Sequence, residues 1–340
     1  MNRSKTTLAD IAAKTGYGTN TVSLALRGST RISKAARAAV LAAARELDYV
    51  PNNSAKSLVL KRSHTVGFLV PEFANPLMND VARIVQVELM KRGYSMFFAN
   101  SNSDPENEIE AITKYRSLMV DGLLIYPQNH EQLDHLARLR RQGFPIVMLI
   151  ASDSDEVDSV GIDEFQGAFD ATSHLIALGH TRVGGILERT LNPEKFHGFR
   201  AALRKNKIEL VEDWVRDPAE HAIAAGIEAT DKIMSGPAVP TAIFAASDLL
   251  ALGVLRWAKT HGLAVPERLS IAGFDDIEYA RQAYISLTTV QNDVETLGRM
   301  AVERLLTLIE TAGPLPAPRS NPIYGRLAER ESSGVPPPLR

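Results

Sequence analysis

The 340-residue chain has no cysteine. This excludes disulfides, thiolate zinc sites and cysteine nucleophiles, and it fits a reducing compartment. Long apolar runs are missing as well. No stretch approaches the roughly 20 residues that span a bilayer, and the opening MNRSKTTLAD carries positive charge without the apolar segment of a secretory signal. The expectation is a cytoplasmic protein with no membrane partner. The usual signatures of catalysis are also wanting. There is no G-x-G-x-x-G after a strand (VGGIL at 183–187 lacks the spacing), no G-x-x-x-x-G-K-[ST] phosphate loop and no G-x-S-x-G elbow. The eight histidines form no H-x-x-x-H pair. Neither an enzyme nor a cofactor or metal site is expected.

What is present is unevenly distributed. The net charge of −2 conceals a split: residues 1–62 hold 11 basic and 3 acidic side chains, a net +8, and the remainder holds 27 basic and 37 acidic, a net −10. A basic arm on an acidic body points to nucleic acid as a partner of the arm. The length suggests two or three domains, and the 45% hydrophobic content is that of an ordinary globular protein.

The basic arm has the punctuation of three short helices. Thr7 is placed to cap a first helix, Leu8 to Lys14, which Gly16 ends. Thr19 is placed to cap a second, which stops at Gly28. Ser33 is placed to cap a third, KAARAAVLAAARELDYV, ended by Pro51. Ala36, Val40, Ala43, Ala44 and Leu47 recur at helical spacing on the third. Three helices with a tight turn between the first two describe a helix-turn-helix, whose second helix enters the major groove N-terminus first. Val22 and Leu26 would face inward and Thr19, Asn20 and Thr21 outward. An amide such as Asn20 can pair with adenine, and hydroxyls bond bases or phosphates. Packing of the three helices against a protein partner is the competing reading. After Pro51, a short possible helix over about 53–60 is too short to be stable alone, with Leu58 its most prominent apolar residue.

The segment TLADIAAKTG, TVSLALRG, RISKAARAAVLAAARELDYVPNNSAKSL resembles the N-terminal domain of the lactose-repressor (LacI) family of bacterial transcription regulators. PEFANP (71–76), VDGLLI (120–125), HLIALGHTRV (174–183), PTAIFAASD (240–248), LSIAGFDD (269–276), LTTVQ (287–291) and LAERES (327–332) continue the resemblance in order over nearly the whole chain. It implies a head that binds operator DNA as a homodimer. Thr19 and Asn20 then match base readers, and Thr21 and Ser23 phosphate contacts, with Thr7 also a candidate contact. Ala55 and Lys56 match hinge-helix positions, and Leu58 matches the leucine that family members insert into the minor groove, kinking the duplex. Leu24 stands where several members carry arginine. Leucine can touch a thymine methyl but cannot make arginine's two-pronged contact with guanine.

From about residue 64 the chain alternates strand-like and helix-like segments. TVGFLV (65–70), YSMFFA (94–99), GLLIY (122–126), PIVMLI (145–150), RVGGIL (182–187), TAIFAA (241–246) and LSIAGF (269–274) are short apolar runs separated by amphipathic stretches such as MNDVARIVQVELMKRG. The fold class expected is an all-α helix-turn-helix head plus an α/β body, with doubly wound parallel sheets in two lobes as in the periplasmic binding proteins that the family's effector domain is similar to. The expected boundaries are 1–50 for the head and 51–63 for hinge and linker. The body would span 64–330, with lobe 1 about 64–162 and 292–323 and lobe 2 about 163–291, before a disordered tail at 331–340. Ligands of such sheets sit at the carboxyl ends of the strands.

The DD pair follows a predicted strand. Asp275 is the ligand-binding candidate, because a carboxylate there accepts hydrogen bonds from ligand hydroxyls. Asp276 is expected to cap the next helix, and His180 to help cap HLIALGH. By resemblance, Asp275 matches the carboxylate that commonly holds the effector, and Ser247 stands where sugar-responsive members often have asparagine. Lys195, in KFHGF, replaces the arginine of an R-x-x-G-F pattern, and Arg189 matches an arginine that contacts effector in the purine-responsive branch. Phe73 and Asn75 are placed to give an aromatic wall and a polar contact. Two cations beside one carboxylate imply a sugar acid or phosphorylated sugar rather than a neutral sugar. The expected function is an operator-binding transcriptional repressor released by a small metabolite. A solute-binding or chemosensory module is the alternative, and an enzyme on an α/β scaffold a more distant one. The proline-rich tail holds no leucine heptad, so a dimer rather than a tetramer is expected.

Overall fold

The computed structural model describes residues 6–50 and 62–338, in two compact units that divide at Ser63 and His64. Candidates Ala55, Lys56 and Leu58 lie outside the described residues.

Among its described residues the first unit has three helices, α1 (Leu8–Thr15), α2 (Thr19–Leu26) and α3 (Lys34–Glu46). A reciprocal cap starts α1: Thr7 Oγ1 accepts from the Asp10 amide, and the Asp10 carboxylate accepts from Thr7 N–H at 2.7 Å. Gly16 ends α1 at φ +72°, a conformation glycine adopts without steric cost. Ser33 caps α3 as expected. Thr19 is not a cap. Gly18 holds that position and no side chain caps α2, so the threonine is displaced one place into the helix. α3 also stops earlier than expected, at Glu46, because Asp48 turns to a positive φ. Ile11, Val22, Ala25, Val40, Ala43 and Ala44 form one buried cluster, with Leu8, Leu26, Leu47 and Tyr49 at its margin.

The second unit contains two six-stranded sheets. β1 (Thr65–Val70), β2 (Ser95–Asn100), β3 (Gly122–Ile125), β4 (Ile146–Met148), β5 (Asp158–Ile162) and β11 (Ser320–Ile323) form the first, in the order β11-β5-β4-β3-β1-β2, all parallel. β6 (Val183–Ile186), β7 (Val215–Arg216), β8 (Ala242–Ala245), β9 (Ser270–Asp275), β10 (Thr288–Gln291) and β12 (Arg326–Ala328) form the second, in the order β12-β10-β9-β8-β6-β7, with only β12 antiparallel. The chain passes between sheets after β5, after β10 and after β11.

Helices cover both faces, because the strands present apolar side chains on both. In the first sheet Val66, Phe68 and Val70 face α4 (Pro76–Lys91) and the long helix α12 (Val294–Glu310). Leu69, Leu123, Ile125 and Met148 cluster instead with residues of α5 (Pro105–Ser117) and α6 (Asp134–Arg141). In the second sheet α7 (Glu164–Ala177), α8 (Glu194–Lys205), α9 (Ile223–Met234), α10 (Asp248–Thr260) and the short α11 (Glu278–Arg281) surround the strands. Strand β5, DSVGI, has no apolar run to announce it. Its buried Asp158 is tolerated because Arg140 and Arg304 pair with it and the Arg319 amide donates to it. Gly161 fits because a Cβ there would lie 1.9 Å from the Ile150 carbonyl carbon.

The expectation of a disordered tail from 331 is corrected over 331–338. Ser332 is fully buried. Ile271 N–H donates to its carbonyl at 2.7 Å, and Thr288 N–H to its hydroxyl at 2.8 Å. Gly334 N–H donates to Ser270 Oγ, and the His180 ring lies 3.0 Å from the Gly334 carbonyl and 2.8 Å from the Thr241 hydroxyl. His180 therefore holds the tail against the sheet. It also helps to close the preceding helix, as expected: its backbone N–H donates to the Leu175 carbonyl at 3.3 Å, beyond the Leu178 N–H that bonds His174. Backbone groups along 331–334 find partners that proline-rich composition does not disclose. Among the described residues, no helix is long and apolar enough to cross a membrane.

Glycines allow helices around the second sheet to approach closely. A Cβ on Gly226 of α9 would lie 2.3 Å from the Leu250 carbonyl oxygen, and one on Gly253 of α10 would lie 2.7 Å from Gly226 Cα. Gly226→Ala should lower stability by about 1–3 kcal/mol through overpacking, despite alanine's better helix propensity. Chemical denaturation measures this, and a higher midpoint would refute the close-approach account.

Candidate functional site

In the head, Thr19 and Asn20 are exposed at the start of α2, while Thr21, Ser23 and Leu24 are half-buried behind them. Because α2 has no side-chain cap, its first amides and the positive end of its dipole are left for an anionic partner. Thr7 is committed to the cap of α1.

In the body, a cavity enclosing about 110 Å³ lies at the carboxyl ends of the strands. That is room for on the order of eight waters, the size of a small metabolite. Its wall comes from successive strand ends: Pro71, Glu72 and Asn75 after β1, Tyr126, Gln128 and His130 after β3, and Glu188, Asn192 and Lys195 after β6. His221 follows β7, Ser247 follows β8, Asp275 ends β9, and Asn292 follows β10. Residues at or beside the inter-sheet passages, Ile162, Glu164, Asn292 and Leu297, complete it, so the two lobes share the cavity.

Four of the six effector candidates line it: Asn75, Lys195, Ser247 and Asp275. Asn75 and Ser247 also cap helices, Asn75 Oδ1 accepting from Leu77 N–H and Ser247 Oγ from Leu250 N–H. Phe73 is outside the lining and stacks edge-on against Phe98, ring centres 4.7 Å apart. Arg189 is outside it too. It pairs with Glu212 at 2.8 Å and Asp217 at 3.4 Å and covers Phe196. The sequence pattern ER at 188–189 brings the glutamate to the cavity and turns the arginine away from it.

Lys195 is buried. Its ammonium meets Glu164 Oε1 at 2.9 Å and lies 4.6 Å above the Phe274 ring. Burial alone would lower its pKa; the carboxylates of Glu164, Asp275 and Glu188 outweigh that and raise it. Burial likewise opposes ionisation of Glu164, yet Lys195 and neighbouring donors hold its carboxyl down to about 2. Tyr126 Oη donates to Glu164 at 3.2 Å, and His130 N–H donates to the Leu191 carbonyl at 3.0 Å. Tyr126 and His130 follow the first sheet; Glu164 and Leu191 belong with the second. These contacts latch the lobes across the cleft. The expected pair of cations is therefore replaced by one lysine among four carboxylates, Glu72, Glu164, Glu188 and Asp275, and the argument for an anionic effector falls with it.

Asp275 adopts φ +116° and Asp276 φ +55°. Residues that the sequence reading passed over hold this turn. Asp248 is fully buried and accepts from Thr289 Oγ1 at 2.6 Å and from Ile277 N–H at 2.9 Å. Burial pushes its carboxyl up to about 7. Gly273 leaves the space, since a Cβ there would lie 2.3 Å from Asp248 Oδ1. Asp276 does not cap the next helix. It accepts from Arg330 at 2.6 Å and Gln291 at 2.8 Å and pairs with Arg281 at 3.2 Å. Glu108, also missed, is buried in α5, where it accepts from Gln128 N–H and meets His135 at 2.8 Å, fixing the loop after β3. An acid in the S-D of AASD, directly after a strand, was the available signal for Asp248. None marked Glu108.

Residues 7–52 match the family described as bacterial regulatory proteins, lacI family, and residues 172–333 match the periplasmic binding protein-like domain. The HTH-type transcriptional repressor PurR of Haemophilus influenzae (strain PittEE) is 32% identical, over 89% of this chain and 91% of that protein. The chain belongs to the LacI family of bacterial regulatory proteins. Another relative, catabolite control protein A of Priestia megaterium, is 30% identical over 88% of this chain and 91% of its own. Among solved structures, the Lac repressor dimer bound to operator and the anti-inducer ONPF superposes with a TM-score of 0.86 at 25% identity, covering 98% of this chain and all of that one. The complex of the transcriptional regulator CelR with cellobiose superposes at 0.71 with 30% identity, covering 96% of this chain and all of that one. The LacI assignment makes the chain a DNA-binding transcriptional regulator with a periplasmic-binding-protein-like effector domain.

Glu164→Gln leaves the Lys195 ammonium buried beside a neutral amide, and should cost about 3–5 kcal/mol; Glu164→Gln with Lys195→Met should recover much of it. Because the folded pKa of Glu164 lies below 4.5, its stabilisation is present above that pH and is lost as pH falls toward about 2. The raised carboxyl of Asp275 acts oppositely. The wild-type-minus-variant difference in denaturation free energy across that window isolates the pair, and a flat difference would refute it.

Proposed function

We propose that the chain is a cytoplasmic repressor that grips a two-fold-symmetric operator as a homodimer and is released when a small hydroxyl-bearing metabolite, most simply a carbohydrate, occupies the cleft. One observation carries this reading: a packed three-helix head offers the exposed Thr19 and Asn20 at an uncapped helix start, in a chain whose other unit encloses a metabolite-sized cavity with apolar walls and buried polar groups. The net +8 of residues 1–62 supports a phosphate-facing head. The names of the relatives support repression, and the cellobiose complex of CelR supports a carbohydrate.

Dimerisation is supported by an apolar sheet margin. β2 is the edge strand of its sheet, and Phe97 and Phe98 on it, with Val87 and Met90 on the neighbouring α4, are exposed. An uncovered apolar edge invites a partner strand or helix. Thr19 and Asn20 read base edges in this account, Thr21 and Ser23 contact phosphates, and Leu24 touches a thymine methyl. By resemblance, Ala55 and Lys56 match hinge positions and Leu58 the residue that enters the minor groove. The effector acts through linkage. A ligand that binds one lobe arrangement better shifts the population toward it, and operator and effector change each other's affinity by the same factor. The Tyr126–Glu164 and His130–Leu191 contacts are the bistable element that it biases.

The test is binding to a palindromic duplex selected from random sequence. Asn20→Ala should weaken that duplex by about 1–3 kcal/mol, roughly 5- to 150-fold, while leaving non-specific binding unchanged. Leu58→Ala should lose affinity and DNA bending but keep ligand binding. Failure to enrich any inverted repeat over random competitor would overturn the reading.

A further inference from the structure

Charge and hydrogen bonding around the cavity do not balance. Four carboxylates face one ammonium. Lys195 is taken by Glu164, and Glu188 is met by the His221 ring at 3.1 Å. Among the described residues, no basic side chain forms an ion pair with Glu72 or Asp275. Glu72, after β1, looks across the cleft at Glu188 and Glu220 of the other lobe. Burial raises its pKa, and those two carboxylates add to the rise against an opposing pull from His221. Burial pushes Asp275 well up, with Asp248 and Glu164 adding and Lys195 opposing. Closing the lobes on an empty cleft therefore brings like charges together.

The second observation is a set of polar atoms without partners. Asn292 is 7% exposed. Its Nδ2 donates to Asp275 Oδ1 at 3.3 Å, and its Oδ1 has no partner. Gln128 Oε1, Asn192 Oδ1 and His130 Nε2 are likewise buried and unpartnered, and all line the cavity. Three of these four are amide oxygens, which only accept. A phosphate or carboxylate brings acceptors to acceptors. A neutral sugar satisfies the oxygens and leaves the charge unmet. The carboxylates do not converge as metal ligands do: no group of three or more His, Asp or Glu able to hold a metal ion occurs among the described residues.

Building on the effector-cleft reading above, we infer that the cleft ligand is a small organic cation, a protonated amine on a hydroxyl-bearing skeleton such as an amino sugar or amino polyol. Its ammonium pairs with Glu72, and its other N–H and O–H donors reach Asp275 and the oxygens of Asn292, Gln128 and Asn192. The ammonium supplies the counter-charge that lets the lobes close, so charge rather than ring shape alone selects the ligand.

Equilibrium dialysis of the full chain against an equimolar mixture of glucosamine, glucose, gluconate and glucose 6-phosphate, with the matching amine, neutral and acid series on galactose, mannose and four-carbon polyols, tests this by mass spectrometry. One amine should be retained on the order of tenfold over its neutral counterpart, as expected of charge-assisted hydrogen bonds. Glu72→Gln should abolish most of that preference and, without ligand, should raise the melting temperature by removing an unmet charge. Preferential retention of a neutral or anionic compound overturns the inference and leaves the effector-cleft reading intact. A lower melting temperature for Glu72→Gln also overturns it, since that carboxylate would then be structural. Retention of nothing from any series overturns both.

Discussion

Lys195 can lie buried in the cleft because Glu164 meets its ammonium at 2.9 Å. A single buried charge is prohibitive, and a hydrogen-bonded pair is tolerable. Much of the site follows from that constraint. Glu164 stands at the start of α7, just past the first passage between sheets, and Lys195 stands in the first turn of α8. Their pairing ties the passage to the second sheet, and Tyr126, reaching Glu164 from the first sheet, extends the network across the cleft. The charge pair and the lobe latch are one structure.

The same logic governs the turn at the end of β9. Its two consecutive aspartates take positive φ values, costly for residues with a Cβ. The surrounding residues over-determine the turn. Asp248 accepts from Ile277 and Thr289, and Arg330, Arg281 and Gln291 hold Asp276. Arg330 belongs to the segment that continues into the pinned tail. The second sheet's ligand-facing edge thus depends on chain that follows β12, in the last part of the sequence.

The head and the cleft obey different chemistry. At the head, a helix start is left uncapped and exposed, and its polar residues face outward where a polyanion can meet them. At the cleft, polar groups are buried and many are satisfied internally, so those that are not stand out as candidates for ligand contact. A regulator requires both: a surface whose affinity is set by electrostatics, and an enclosed site whose occupancy shifts the balance between two lobe arrangements.

Much of this was legible in the sequence. The glycine and hydroxyl punctuation of residues 7–33 marked three helices, and seven apolar runs marked strands of the two sheets, because these signals are local: a cap, a left-handed turn, an alternation of faces. Asp275 was also legible, since it directly follows such a strand, and Ser247 was marked by the family resemblance. What the sequence could not disclose depends on distant partners. Arg189 is adjacent to Glu188, yet only the fold decided that the glutamate faces the cavity while the arginine turns to Glu212 and Asp217. Phe73 was read as a wall and instead found Phe98 from a neighbouring strand. β5 was invisible because its buried aspartate is made acceptable by Arg140 and Arg304, the latter 146 residues away in sequence. The tail read as disordered because its composition favours that, while Ser332 and Gly334 found hydrogen-bond partners on a strand that precedes them by dozens of residues. Sequence fixes conformational preference, a property of neighbours along the chain. The net charge of a cavity and the partner of each buried polar group are sums over atoms that only tertiary folding brings together.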